Sequence, residues 1–181
     1  MGVSLSFLKS HNIIHKIIKE VQMKTAIIYY SYEGNCSLVS KIIKDTLNAD
    51  IFEIKTVDDK IRTGLAKYLW GGSQVVFHKK PALRPLSVDI NAYDLIILGC
   101  PVWAGSPAPA IISFLSGTKI AGKKIALFCC HAGGKKKAFD KFRALLNGNS
   151  IAGEIDFVNP AGKSPEKLKL IIGDWVKTIS A

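Results

Sequence analysis

The chain has 181 residues, 48% of them apolar and 22% charged, the balance of one folded domain with a substantial core rather than a disordered or fibrous polymer. A formal net charge of +11 suits an anionic ligand or an acidic partner, but the lysines are scattered and no recognition helix or RNA-binding signature accompanies them, which argues against nucleic acid. No apolar run approaches the ~18–20 residues that cross a bilayer. The four cysteines, Cys36, Cys100, Cys129 and Cys130, lack the spacing of zinc ligands and read as free thiols of a reducing cytoplasm.

Residues 1–22 read as an amphipathic extension. Their apolar positions (Ile13, Ile14, Ile17, Ile18, Val21) are interrupted by His15, Lys16 and Lys19, so they lack the continuous apolar stretch of a signal peptide. The domain proper is expected over residues 23–181. Residues 24–30 form a β-branched and aromatic strand. A helix follows over residues 34–47, with Leu38, Val39, Ile42, Ile43 and Leu47 spaced for one buried face. A shorter strand covers residues 50–55 through Ile51, Phe52 and Ile54. Residues 61–77 carry a helical pattern, weakened by Gly71-Gly72 at up to ~1 kcal/mol per glycine relative to alanine. Pro81 and Pro85 make residues 78–86 irregular.

Residues 93–100 contain an unbroken apolar run, the mark of a strand buried on both faces in the middle of a parallel sheet. A helix with Pro107 in its first turn follows over residues 107–115. A further central strand spans residues 124–130, then a helix spans 136–146 with Phe139, Phe142, Leu145 and Leu146 inward. A weaker strand over 153–158 suits a sheet edge. A last helix over 165–179 buries Leu168, Ile171, Ile172, Trp175 and Ile179. Five strands alternating with helices make an α/β, doubly wound parallel sheet with helices on both faces.

In such a sheet, ligands bind beyond the carboxyl ends of the strands. Three unusual loops fall there. The first, Ser31-Tyr32-Glu33-Gly34-Asn35-Cys36, joins a strand to a helix N-terminus, where backbone N–H groups lack intrahelical partners and attract phosphate. Ser31 and Asn35 add side-chain donors, although an ordinary capped turn would use the same residues. The second, Pro101-Val102-Trp103-Ala104-Gly105-Ser106-Pro107, holds a large aromatic between prolines and small residues. Its indole suits a planar ligand, or equally a plug over the core. The third, His131-Ala132-Gly133-Gly134, allows close backbone approach to the polar edge of a ring. His131 would either donate to that edge or cap the local turn.

Together these loops make the chain resemble the flavodoxin family. Ser31–Cys36 is similar to the family's phosphate loop, Cys100–Gly105 to the loop against the isoalloxazine ring, and Cys130–Gly134 to the loop at the ring's pyrimidine edge. The resemblance runs from about residue 23 to the C-terminus. It implies strand order 2-1-3-4-5 and flavin mononucleotide (FMN) as cofactor. Ser31, Tyr32, Glu33, Gly34, Asn35 and Cys36 would lie at the phosphate, Pro101, Val102, Trp103, Ala104 and Gly105 at the ring, and His131, Ala132 and Gly133 at the pyrimidine edge.

Three departures from the family pattern stand out. Cys36 replaces a hydroxyl residue, exchanging a good donor for a weak one. Glu33 brings a carboxylate into a loop meant for a dianion. The third loop lacks the aromatic that covers the outer ring face in typical members. The resemblance implies a cytoplasmic electron carrier serving a redox partner protein, an acidic one given this charge. Two alternatives use the same site: an NAD(P)H-dependent flavin or quinone reductase, and a flavin-dependent interaction module. Neither nucleic acid nor stable membrane insertion is expected.

Overall fold

The computed structural model describes residues 23–58 and 71–180. The expected extension over residues 1–22 and most of the expected 61–77 helix lie outside the described residues; residues 71–76 are helical. In chain order the elements are β1 (Thr25–Tyr30), α1 (Asn35–Leu47), β2 (Asp50–Ile54), β3 (Leu95–Trp103), β4 (Ser106–Pro107), α2 (Pro109–Gly117), β5 (Lys124–His131), α3 (Ala138–Ala144), β6 (Ser150–Val158) and α4 (Pro165–Ser180). Residues 78–86 are irregular apart from a single bridge between Thr56 and Leu83. Among the described residues no helix is long and apolar enough to cross a membrane.

The long strands pair in parallel in the order β2-β1-β3-β5-β6, with β4 pairing antiparallel to β3. Set β4 aside and this is the expected 2-1-3-4-5 order. Successive side chains on a strand point to opposite faces, and the two cores follow that alternation. Ile28, Tyr30, Ile96, Leu98, Leu127 and Cys129 face α2 and α3, meeting Ile111, Phe114, Phe139 and Phe142. Ile27, Tyr29, Leu95, Ile97, Phe128 and Cys130 face α1 and α4, meeting Val39, Ile43, Leu168, Ile172 and Ile179. Strand order reverses between β1 and β3, because the chain adds β2 on one side of β1 and β3 on the other. A crevice opens at that point.

Several boundaries differ from the sequence expectation. β3 continues past Cys100 to Trp103, because Val102 and Trp103 pair with Pro107 and Ser106 of β4. Ala104 and Gly105 join them with φ of 47° and 73°, the two positive values a type I′ hairpin turn requires. Pro107 therefore belongs to a strand, and Pro109 takes the first helical position of α2. β6 begins at Ser150 rather than residue 153. A register shift carries the pairing from Ile125–Ile151 to Ala126–Gly153 and leaves Ala152 as an extra residue. α3 begins at Ala138 because Lys136, with φ 43°, cannot continue a right-handed helix.

Candidate functional site

The carboxyl ends of β1, β3 and β5 open into one cleft of about 410 Å³, within the size range of small-molecule sites. The residues assigned above to the phosphate, the ring and the pyrimidine edge wall it, Gly34 excepted: Ser31, Tyr32, Glu33, Asn35 and Cys36 from the first loop, Pro101–Gly105 from the second, His131, Ala132 and Gly133 from the third. Gly34 is the N-cap of α1, with φ 86°. This left-handed conformation, cheap only for glycine, turns the chain directly from loop into helix.

At one end of the cleft lies the α1 N-terminus. Its N-cap has no side chain to offer the first turn. Ser31 Oγ accepts from Ser37 N at 3.2 Å, and Gly34 O accepts from Leu38 N at 2.9 Å. Among the described residues the N–H groups of Asn35 and Cys36 have no acceptor, which is the condition for anion binding at a helix start. Since Ser31 Oγ is already an acceptor, its hydroxyl proton is left to donate. Asn35 Oδ1 accepts from Ala161 N at 3.2 Å; the side-chain NH2 is therefore the group it offers a ligand. Cys36 contributes differently from a hydroxyl residue. Its side chain is buried against the thiol of Cys130, and burial with that contact pushes its pKa well up. The thiol belongs to the core, so Cys36 serves the cleft through its backbone. Glu33 is exposed.

At the other end stands Trp103, which is half-buried. The rings of Tyr30 and Tyr32 meet the indole edge-on, with centroids at 6.1 and 5.5 Å. A Cβ placed on Gly71 would lie 3.5 Å from Cδ2 and 3.8 Å from Cε2 of Trp103. These fusion atoms lie inside the indole outline and are reached only over its face. The Gly71-Gly72 pair, unfavourable within a helix, therefore supplies a flat approach to the indole and joins the cleft wall. Trp103 is neither a plug sealed in the core nor a free flap. It also borders a second cavity of about 350 Å³ on its far side, with Tyr30, Gln74 and Pro109.

The third loop is organised by His131, and of the two roles expected of it the geometry gives the cap of the local turn. Gly134 N donates to His131 Nδ1 at 3.0 Å, so that nitrogen carries no proton. The proton sits on Nε2, which donates to Asp156 Oδ2 at 3.0 Å. Both ring nitrogens are thus spent on the protein, and the side chain is 5% exposed. Asp156 Oδ1 also accepts from Lys135 Nζ at 2.7 Å. Burial raises the Asp156 pKa, but the Lys135 and His131 hydrogen bonds outweigh it and hold the carboxyl below its ordinary value. His131 therefore shapes the loop, leaving Ala132 and Gly133 exposed at the cleft mouth.

Sequence reasoning missed three further lining residues, Gly71, Gly72 and Asn159; Lys136 and the third loop's Cys130 and Gly134 line the cleft as well. A glycine pair inside a helical pattern signalled close approach in the first case. The Asn159-Pro160 dipeptide signalled a turn in the last; Asn159 has φ 41° and donates its N–H to His131 O at 3.0 Å. Among the described residues no group of His, Cys, Asp and Glu side chains is arranged to hold a metal ion.

Comparison with known proteins agrees with this geometry. A family model described as flavodoxin matches residues 24–155. The chain resembles a flavoprotein from Lactobacillus acidophilus solved in complex with FMN, at 26% identity and a TM-score of 0.65, over 74% of this chain and 93% of that one. At 17% identity it shares the fold of a two-electron reduced flavodoxin from Megasphaera elsdenii (TM-score 0.54, 85% and 99% covered). It also shares the fold of a WrbA-like flavodoxin from Agrobacterium tumefaciens, again at 17% identity (TM-score 0.57, 87% and 97% covered). No curated protein matches the chain.

Proposed function

Because the chain belongs to the flavodoxin family, we propose that its cleft binds FMN and that the protein is an electron carrier. The observation that carries this reading is the polarity of the cleft: unspent helix-start amides at one end, an aromatic frame at the other, joined by small residues. A nucleotide with a dianionic tail and a planar head has that same polarity. The L. acidophilus flavoprotein, solved with FMN, supports the reading.

Bound FMN supplies the redox chemistry, taking up two electrons and a proton and giving them back. The chain supplies binding and access. The N–H groups of Asn35 and Cys36, the Ser31 hydroxyl and the Asn35 amide hold the phosphate, with the α1 dipole adding to the attraction. Trp103 and the 101–107 hairpin would cover the ring and exclude water from one side. The backbone at Ala132 and Gly133 meets its polar edge, held in place by His131 and Asp156. Small, exposed residues there leave the ring accessible to a redox partner, and the basic surface suits an acidic one.

Anaerobic mixing with NADH or NADPH separates a carrier from a reductase. A carrier keeps its yellow absorbance for many minutes with either nucleotide and bleaches at once with dithionite. Bleaching within seconds by NADH or NADPH alone would overturn the carrier reading and favour an NAD(P)H-dependent reductase on the same site.

A further inference from the structure

Lysines 135, 136 and 137 lie in sequence at the start of α3, where cations oppose the helix dipole and bring no stability. The structure gives them different tasks. Lys135 is held by Asp156 at 2.7 Å and lies over the Phe139 ring, 5.5 Å from its centroid. Lys137 is the α3 N-cap and lies outside the cleft wall. Lys136 does line the cleft, and among the described residues it has no carboxylate within ion-pair distance.

Its placement is built rather than incidental. The backbone of Lys136 adopts φ 43°, a left-handed conformation that a residue of this type enters at a cost of about 1 kcal/mol or more. Its stem crosses to the second loop and packs on Gly105: a Cβ there would lie 3.2 Å from Lys136 Cβ and 3.1 Å from its Cδ. Gly105 leaves the space this stem occupies. The lysine therefore bridges the loop carrying Trp103 and the loop carrying Gly133. The carboxylate on the same wall, Glu33, comes from the first loop.

His131, the other candidate for a positive charge in this region, is unprotonated at Nδ1 and turned to Asp156. We infer that Lys136 is the residue that sets the cofactor's preference for its reduced, anionic state. The inference rests on the FMN reading above. Two-electron reduction with uptake of one proton leaves the ring system one unit more negative. An ammonium carried between the two loops assigned to the ring favours that form over the neutral oxidised ring. Lys136 thus acts on the difference between two oxidation states more than on binding itself.

The test is a spectroelectrochemical titration of the FMN-loaded protein, with dithionite as reductant, on wild type, K136Q, K136R and K135Q. Gln retains most of the stem that packs on Gly105, and Lys136 is exposed, so the fold is retained. Removing the charge is expected to cut the ratio of reduced to oxidised affinity about tenfold, which is about 30 mV more negative in the two-electron couple. K136R should stay near wild type, and K135Q, the same charge change on the ion-paired neighbour, should move the potential far less. A K136Q couple equal to wild type would overturn the inference, as would equal shifts in K136Q and K135Q, which would assign the effect to net charge. If wild type takes up no FMN, the cofactor reading itself fails, a result distinct from loading with an unshifted couple.

Discussion

Replacing Gly99 with alanine is expected to destabilise the protein by about 1–3 kcal/mol or more, a large part of the ~5–15 kcal/mol that holds a domain of this kind together. Gly99 sits in β3 directly opposite Phe128 of β5. A Cβ at position 99 would fall 2.0 Å from Phe128 Cζ and 2.1 Å from its Cε1, inside the ring's own volume. The ring cannot withdraw. Phe128 is fully buried and packs edge-on against Phe157 at 6.4 Å between centroids. Urea unfolding measures the effect, and the double variant G99A/F128L should recover part of the loss because the clash is removed. A G99A midpoint within experimental error of wild type would contradict this packing. The consequence extends to the site, since β3 ends in Trp103 and any shift of the strand is carried into the second loop.

The second large effect is on ligand affinity. Trp103→Ala is expected to weaken FMN binding about ten- to hundredfold, which is about 1.4–2.8 kcal/mol, in line with aromatic platforms under nucleobases. The indole is held by Tyr30, Tyr32 and the face-on Gly71, so little ordering is needed when a ring docks. Trp103→Phe should restore much of the affinity, because a smaller ring still fits that frame. Quenching of FMN fluorescence reads both values, with circular dichroism confirming that each variant is folded. Unchanged affinity in the alanine variant would assign Trp103 to packing alone.

How much of this was legible in the sequence depended on how local the cause was. The apolar run through Leu95–Leu98 could only be a central strand, and the Ser31–Cys36 stretch carried its own strand end, glycine and helix start. The two-residue β4 was not legible, since its pairing follows from positive φ at Ala104, a residue with no intrinsic preference for it. His131 was left open between ligand donor and turn cap for a related reason. Its partner Asp156 lies 25 residues on and becomes a neighbour only through the β5–β6 register, in which His131 opposes Val158 and Asp156 is the diagonal position on the same face. Lys136 could not be told from Lys135 and Lys137 by sequence until Asp156 claimed Lys135. Cys36 looked like a weakened phosphate donor until its thiol was placed against Cys130.

The central claim is that the helix-start amides and the indole frame form one nucleotide site, and titration of the purified protein with FMN tests it most directly. Quenching of flavin fluorescence, a perturbed visible spectrum and a melting temperature that rises with FMN concentration are the predicted result. A protein that stays colourless after desalting, with the flavin spectrum and its own melting temperature unmoved, would contradict it.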